Sequence, residues 1–160
     1  MTILVSRTDS IGDVVLTLPL VGAIKRYLPS SKVIFLGKSY TKAVIELCDD
    51  IDEFLNWDDL RKDLKKAHTV LQNKNINTAI LVFPDKQIAK VCKKAKIKYR
   101  IGTSHRVHNL LYCNRLINFS RRKSNEHEAI LNLKLLNKVS GLQNKISFDN
   151  ITELLNIQVL

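Results

Sequence analysis

The stretch Ile3-Leu4-Val5-Ser6-Arg7-Thr8-Asp9-Ser10-Ile11-Gly12-Asp13-Val14-Val15-Leu16-Thr17-Leu18-Pro19 decides how this chain folds. Ile3 to Val5 is a short apolar run that reads as a buried strand, and after a polar turn the apolar residues from Asp13 to Tyr27 read as a helix. A strand, a tight polar turn and a helix start is where open α/β sheets keep their ligands, just beyond the carboxyl ends of the strands. Asp13 falls in the first helical turn, beside Gly12, the turn's one glycine, and close to Ser10. Free backbone N–H groups and the positive end of the helix dipole converge on the same point. Pro19 lies further along that helix, where it removes a hydrogen bond and crowds the preceding turn. A kink or short break is expected there, leaving Asp13 on the N-terminal piece.

Outward from this stretch, apolar bursts alternate with helical patterns at βα spacing. Lys32 to Leu36 reads as a second strand, ended by Gly37, and Ser39 as the cap of a helix running to about Leu47. Glu53 to Asn56 reads as a third strand, followed by a charged helix from Asp58 or Asp59 to about Gln72, with Leu60, Leu64, Ala67 and Leu71 along one face. Asn77 to Phe83, closed by Pro84, reads as a central strand, and Asp85 to Ala95 as a lysine-rich helix. Lys98 to Ile101 reads as a fifth strand ending at Gly102, followed by a basic, turn-rich stretch to Lys123 with a small apolar element at Leu116-Ile117. A last helix starts near Ser124 or Asn125 and runs to Gly141. Strands separated by helices pair in parallel through right-handed crossovers. The expected fold class is therefore α/β, a Rossmann-like three-layer domain over residues 1–143, with 144–160 as a weakly patterned extension or the start of a linker.

At 160 residues the chain is one domain by length, with the 45% hydrophobic and 26% charged content of an ordinary globular protein. It holds no apolar run of the roughly 18–20 residues that a membrane span needs, and Thr2 to Val5 is too short for a signal peptide. A cytoplasmic location is expected. Cys48, Cys92 and Cys113 are odd in number and far apart, so buried thiols are expected in place of disulfides or zinc. The net charge of +11 is local: 12 of the 26 Lys and Arg lie between Lys86 and Lys123, where no Asp or Glu occurs. A solvated basic face is the plain reading of a charge run; the complete lack of acids favours an anionic ligand or surface.

Several chemistries are disfavoured. One glycine does not make a dinucleotide fingerprint, and no Walker motif occurs. His105 and His108 stand three apart without further ligands, so no metal site is expected. His127, beside Glu126 and Glu128, reads as a helix cap, and Trp57 as packing at a strand end. By composition alone, Asp13 is a dipole-stabilising acid more often than a catalyst.

The run Arg7 to Pro19 resembles the N-terminal signature of family 9 glycosyltransferases, the ADP-heptose:lipopolysaccharide heptosyltransferases. The resemblance continues through Phe35-Leu36-Gly37, Asp52-Glu53-Phe54, Arg100-Ile101-Gly102-Thr103-Ser104, Asn118-Phe119-Ser120-Arg121, His127-Glu128-Ala129 and Asn132-Leu133. It implies the N-terminal half of a GT-B enzyme, in which two Rossmann-like domains face a cleft and the N-terminal one holds the acceptor. It also implies Asp13 as general base of an inverting transfer, with Ser10 and Gly12 beside it at the substrate. Arg61, Lys62 and Lys65 lie where relatives place basic residues for the acceptor. Arg100, Arg106, Arg121, Arg122 and Lys123 lie in or beside loops expected at the cleft edge, where they would pair with the phosphates and ulosonic-acid carboxylates of a lipid A acceptor. A complete family member is about twice as long and carries a second domain, so the chain alone is expected to have little or no transferase activity. The resemblance implies a nucleotide-sugar donor such as ADP-heptose, no further cofactor and no metal. Expected partners are the anionic glycolipid, a separate C-terminal half, and the inner face of the cytoplasmic membrane as a peripheral contact. The alternative is a basic anion- or nucleic-acid-binding module. Aromatic content of 6% and the lack of RNP, KH or helix-turn-helix patterns argue against nucleic acid.

Overall fold

A computed structural model describes residues 1–158 of the chain. Six strands form one parallel sheet: β1 (Thr2–Ser6), β2 (Lys32–Gly37), β3 (Glu53–Asn56), β4 (Thr78–Leu81), β5 (Tyr99–Thr103) and β6 (Arg115–Ile117). Their spatial order is β3-β2-β1-β4-β5-β6, with Val5 opposite both Phe35 and Ile80. Both faces of the sheet are covered, so its central strands carry runs of consecutive apolar residues, Ile3 to Val5, Val33 to Leu36 and Ala79 to Leu81, in place of alternating ones. Ile3, Val5, Phe35 and Ile80 point into one core with α2 (Leu18–Tyr27) and α8 (Glu128–Lys134). Leu4, Ile34, Leu36 and Ala79 point into the other, with α5 (Leu64–Asn73) and α6 (Lys86–Lys94). This is the α/β Rossmann-like architecture that the sequence implies.

The order places β1 between β2 and β4. The chain winds outward from β1 in one direction to β3, then returns to β4 and winds in the other. A crevice opens at such a reversal, outside the carboxyl ends of the two strands. Here the ends are stitched together: Val82 N and Phe83 N both donate to the Ser6 carbonyl, at 3.0 and 3.4 Å.

The first helix is broken where Pro19 requires it. α1 (Ile11–Val15) is capped by Ser10, and α2 starts afresh at Leu18 with Pro19 in its first turn, where its missing N–H leaves nothing unpaired. Other boundaries differ from the sequence reading. Ser39 caps nothing; Ser39–Thr41 is a 3-10 turn leading into α3 (Lys42–Glu46). The charged helix is two helices, because Asp63 accepts from the Lys65 and Lys66 N–H groups and restarts it. These are α4 (Trp57–Leu60), capped by Asn56, and α5. β5 runs through Gly102 and does not end there. The stretch after it holds a helix, α7 (Val107–Tyr112), as well as β6. α8 starts at Glu128 with the His127 ring accepting from Ala129 N, as a capping histidine does, and tightens into a 3-10 turn at Leu135–Lys138.

Trp57 is buried just past β3, and all three cysteines are buried and free. Residues 144–158 fold back on the domain, with Leu154 buried against α2 and a bridge between Cys48 and Ile157. Among the described residues no helix is long and apolar enough to cross a membrane.

Candidate functional site

The switch point between β1 and β4 is occupied by one polar cluster, built around Arg7. This residue follows directly on the β1 strand, so its backbone is fixed by the sheet; Arg7 N donates to the Leu36 carbonyl at 3.1 Å. Its side chain is only 4% exposed and aims along the strand ends. Nε and Nη2 grip Asp9 through both carboxylate oxygens at 2.7 and 2.8 Å. Nη2 also lies 3.1 Å from Asp13, while Nη1 donates to Glu128 at 2.9 Å and to the Asn132 side-chain carbonyl at 3.4 Å. Burial disfavours the charged guanidinium, but Asp9 and Glu128 outweigh it and hold the pKa above its ordinary value.

Arg121 enters from the loop after β6. It shares Glu128 and Asn132 with Arg7 and donates to the Val82 carbonyl at the end of β4, at 3.0 Å. Asn132 closes the ring by donating to the Leu16 carbonyl at 2.9 Å, in the gap between α1 and α2. The break at Pro19 thus exposes a backbone carbonyl that α8 uses to dock. Two guanidiniums and three carboxylates form the cluster, so one negative charge is left over.

Asp13 is the carboxylate at its open edge, with 35% of its side chain exposed. The Ser10 hydroxyl donates to it at 2.6 Å, and the Asp13 N–H donates back to Ser10 Oγ at 3.2 Å. That Ser10 bond, with Arg7 behind it, holds the carboxyl below its ordinary value against a smaller opposing push from burial. The group is a permanent anion near neutral pH, held in one orientation by donors on two sides. Such a carboxylate is a weak base at equilibrium, yet it can take a proton from a hydroxyl whose O–H bond breaks as its oxygen attacks. Gly12 stands beside it in open space: a Cβ there would meet only Ser10 Oγ, at 3.9 Å.

Next to the cluster lies a cavity of about 370 Å³, lined by Arg7, Asp9, Phe83, Thr103, His105, Arg106, Phe119, Ser120, Arg121 and Arg122 among others. Arg7 and Arg121 are committed to carboxylates. Arg106 and Arg122 are exposed and have no ion-pair partner among the described residues, so they are the guanidiniums open to a ligand anion. No group of three or more His, Cys, Asp or Glu able to hold a metal occurs among the described residues.

The structure therefore places Arg106, Arg121 and Arg122 in the cavity lining, with Lys123 next along the loop, and joins Ser10, Gly12 and Asp13 to it through Arg7, which lines the cavity and lies 3.1 Å from Asp13. It sets the others apart. Arg100 is the second residue of β5, at the opposite end of the sheet, where Nε donates to the Tyr112 carbonyl at 2.6 Å. Arg61, Lys62 and Lys65 follow the edge strand β3; they are exposed, outside the cavity lining, and Lys62 pairs with Asp59 at 3.0 Å. Arg7, Asp9, Glu128 and Asn132 were not among the sequence candidates. One local signal pointed to Arg7: an arginine directly after an apolar strand, with aspartates two and six residues later.

Strand order and cluster together define a doubly wound α/β domain with a polar cluster and a cavity at the carboxyl ends of β1 and β4. The same fold occurs in known proteins. The chain is similar to the crystal structure of a family 9 glycosyl transferase from Veillonella parvula, with a TM-score of 0.77 and 18% identity over 99% of this chain and 45% of that one. It is likewise similar to Escherichia coli heptosyltransferase WaaC with ADP, with a TM-score of 0.70 and 17% identity over 96% of this chain and 52% of that one. In sequence it is 29% identical over 136 residues to a Haemophilus influenzae protein named as a candidate glycosyltransferase, a span of 84% of this chain and 39% of that protein. No family model matches the chain. The fold that the resemblance to family 9 glycosyltransferases implies is thus borne out, and it is the fold of about half of such a chain. This chain spans about half the length, or less, of the relatives it matches.

Proposed function

We propose that this chain is the acceptor-binding half of an inverting glycosyltransferase. It would act with a donor-binding half to transfer heptose or a related sugar from a nucleotide-sugar to an anionic glycolipid core. The observation that carries this reading is the Asp13 carboxylate, fixed by Ser10 and Arg7 at the sheet's switch point, beside a cavity with two arginines that have no ion-pair partner among the described residues. The acceptor's phosphates or ulosonic-acid carboxylates pair with Arg106 and Arg122, which places a sugar hydroxyl near Asp13. The hydroxyl oxygen attacks the anomeric carbon from the face opposite the leaving nucleoside diphosphate, and its proton passes to Asp13. Orientation of two reactants supplies much of such a rate. A chain holding one side of the cleft therefore binds the acceptor and does not transfer alone. Because the acceptor is lipid-anchored, the working site is a membrane surface on the cytoplasmic side.

Two measurements test this. A water-soluble, deacylated acceptor headgroup titrated into the chain should shift NMR signals around the cavity. Binding should weaken at least tenfold in Arg106→Ala/Arg122→Ala and persist in Asp13→Asn. With ADP-heptose and a donor-binding half supplied in trans, Asp13→Asn should lower kcat by roughly 10²–10⁴ with little change in acceptor KM. Full activity of that variant would remove Asp13 as the base. Transfer by the chain alone would overturn the half-enzyme reading, and tight, salt-steep RNA binding with no response to the headgroup would favour a nucleic-acid module.

A further inference from the structure

We propose that α7, together with the lysine ridge of α6 beside it, is a docking face for an anionic lipid bilayer. This rests on the reading of the acceptor as lipid-anchored and adds the element by which the chain meets the lipid. α7 is built inside out. Val107, Leu110 and Leu111, spaced i, i+3 and i+4 on one side, are 76%, 55% and 60% exposed. The residue it buries is polar: Asn109 is fully buried and its amide donates to the Thr103 carbonyl at 3.0 Å. Gly102 lets that amide approach, since a Cβ there would lie 2.9 Å from Asn109 Nδ2. The sheet thus grips α7 by an asparagine and leaves its leucines in solvent. Nothing among the described residues covers them.

α6 lies alongside. Lys86, Lys90 and Lys93, spaced i, i+4 and i+7, are exposed on the side opposite the buried Ile88, Ala89, Val91 and Cys92. Lys93 Nζ donates to the Leu111 carbonyl at 3.1 Å, and His108 has Asp85, Lys86 and Arg106 for neighbours. The two helices therefore run in the same direction, with the basic ridge beside the apolar stripe along its length. No acid interrupts residues 86–123, and the carboxylate of Asp85 is occupied by the Gln87 and Ile88 N–H groups.

A short row of aliphatic side chains flanked by lysines matches a charged bilayer surface. Leucines enter the headgroup layer, and lysines act as point charges on a diffuse anionic plane that presents no fixed partner geometry. A single-stranded nucleic acid would call for exposed aromatic rings to stack its bases, and the exposed residues of this helix are aliphatic. Placement fits as well. Arg106, the N-cap residue of α7, and His105 line the cavity, so a bilayer on this face lies at the cavity mouth. A glycolipid headgroup could enter sideways while its acyl chains stay in the membrane.

The test is flotation of the full chain with vesicles that contain no glycolipid. The chain should float with phosphatidylcholine vesicles enriched in phosphatidylglycerol at low salt, and not with pure phosphatidylcholine. Leu110→Ser/Leu111→Ser and Lys86→Glu/Lys90→Glu should each reduce partitioning about tenfold or more, with unchanged thermal unfolding because all four side chains are exposed and none makes a hydrogen bond or ion pair among the described residues. Failure of the wild-type chain to float, equal partitioning to neutral vesicles, or a serine variant that floats like wild type would each overturn the proposal. Titration of the same serine variant with the deacylated headgroup separates the two readings. Headgroup binding with lost flotation in the serine variant supports both, and flotation of the wild-type chain without headgroup binding by either chain keeps this face while removing the acceptor assignment.

Discussion

A guanidinium buried to 4% exposure must satisfy all its N–H groups locally, and Arg7 does so with Asp9, Asp13, Glu128 and Asn132. Replacing it leaves carboxylates facing one another in a poorly solvated space, which costs more than the lost bonds alone. Arg7→Met should lower stability by about 3 kcal/mol, seen as a Tm lower by roughly 10 °C; a drop below about 3 °C would show that the cluster relaxes or hydrates freely. Gly12 is the opposite case. No backbone strain or close neighbour requires glycine there, so Gly12→Ala should leave the fold intact and stabilise α1 by a few tenths to about 1 kcal/mol. A methyl group beside Asp13 should still weaken headgroup binding. Stability up with affinity down would mark Gly12 as space kept for a ligand, whereas unchanged affinity would make it incidental. The helix start made Ser10 and Asp13 legible in the sequence. Arg7–Glu128 was not, because 121 residues separate the partners and only the closed sheet brings α8 over β1. Arg100 lies away from the cleft edge for a local reason: β5 extends to Thr103, so Arg100 stands at the strand's beginning and not near its end.

At the scale of elements, the parts read correctly were those in which local chemistry and tertiary demand agree. The apolar runs of β1, β2 and β4 are buried on both faces, and Pro19 breaks its helix because no packing could restore the missing N–H. α7 is not legible in the sequence because its apolar residues face solvent and its buried one is polar, the reverse of an amphipathic helix packed on a core. The single charged helix after β3 became two because Asp63 competes for the backbone as an N-cap, which a stripe of leucines does not reveal. The C-terminal segment depends on one position. A Cβ on Gly22 would sit 1.8 Å from the Leu154 carbonyl oxygen, so α2 and the 3-10 turn Ile151–Leu154 touch backbone to backbone. Gly22→Ala cannot be absorbed by a rotamer change. It should detach residues 144–158 from α2, seen as faster amide exchange there and proteolysis after Lys145, with exchange in the central strands unchanged. Protection equal to wild type throughout would show that the turn slides instead of lifting.

For the molecule as a whole, the uneven charge sets the response to pH. Outside the basic segment, acids and bases nearly balance and are tied in pairs across the sheet's edge. Asp52 accepts from Val33 N at 2.6 Å and from Lys25 Nζ at 2.7 Å, while Glu53 receives Lys32 and Lys74. Burial opposes ionisation of Asp52 and Glu53, yet the lysines, together with the Val33 N–H for Asp52, outweigh it and hold both below their ordinary values of 3.8 and 4.5. Asp58 is lowered by the Ser39 N–H, and Asp13 by Ser10. A carboxylate lowered on folding binds its proton more readily in the unfolded chain, so its stabilisation is complete above the ordinary value and lost as pH falls through the lowered one. Stability should therefore be level above about pH 5 and decline steadily below about 4.5, as protonation adds to a chain already at +11. Asp52→Asn should flatten that acid limb, because it removes one of the groups whose protonation drives it, and should lower the plateau because the pairing with Lys25 is lost. Added salt relieves the general repulsion among the basic residues but screens the partly buried Asp52–Lys25 pair less. A difference between wild type and variant that persists in salt would assign the acid limb to these specific pairs, and one that vanishes would assign it to net charge.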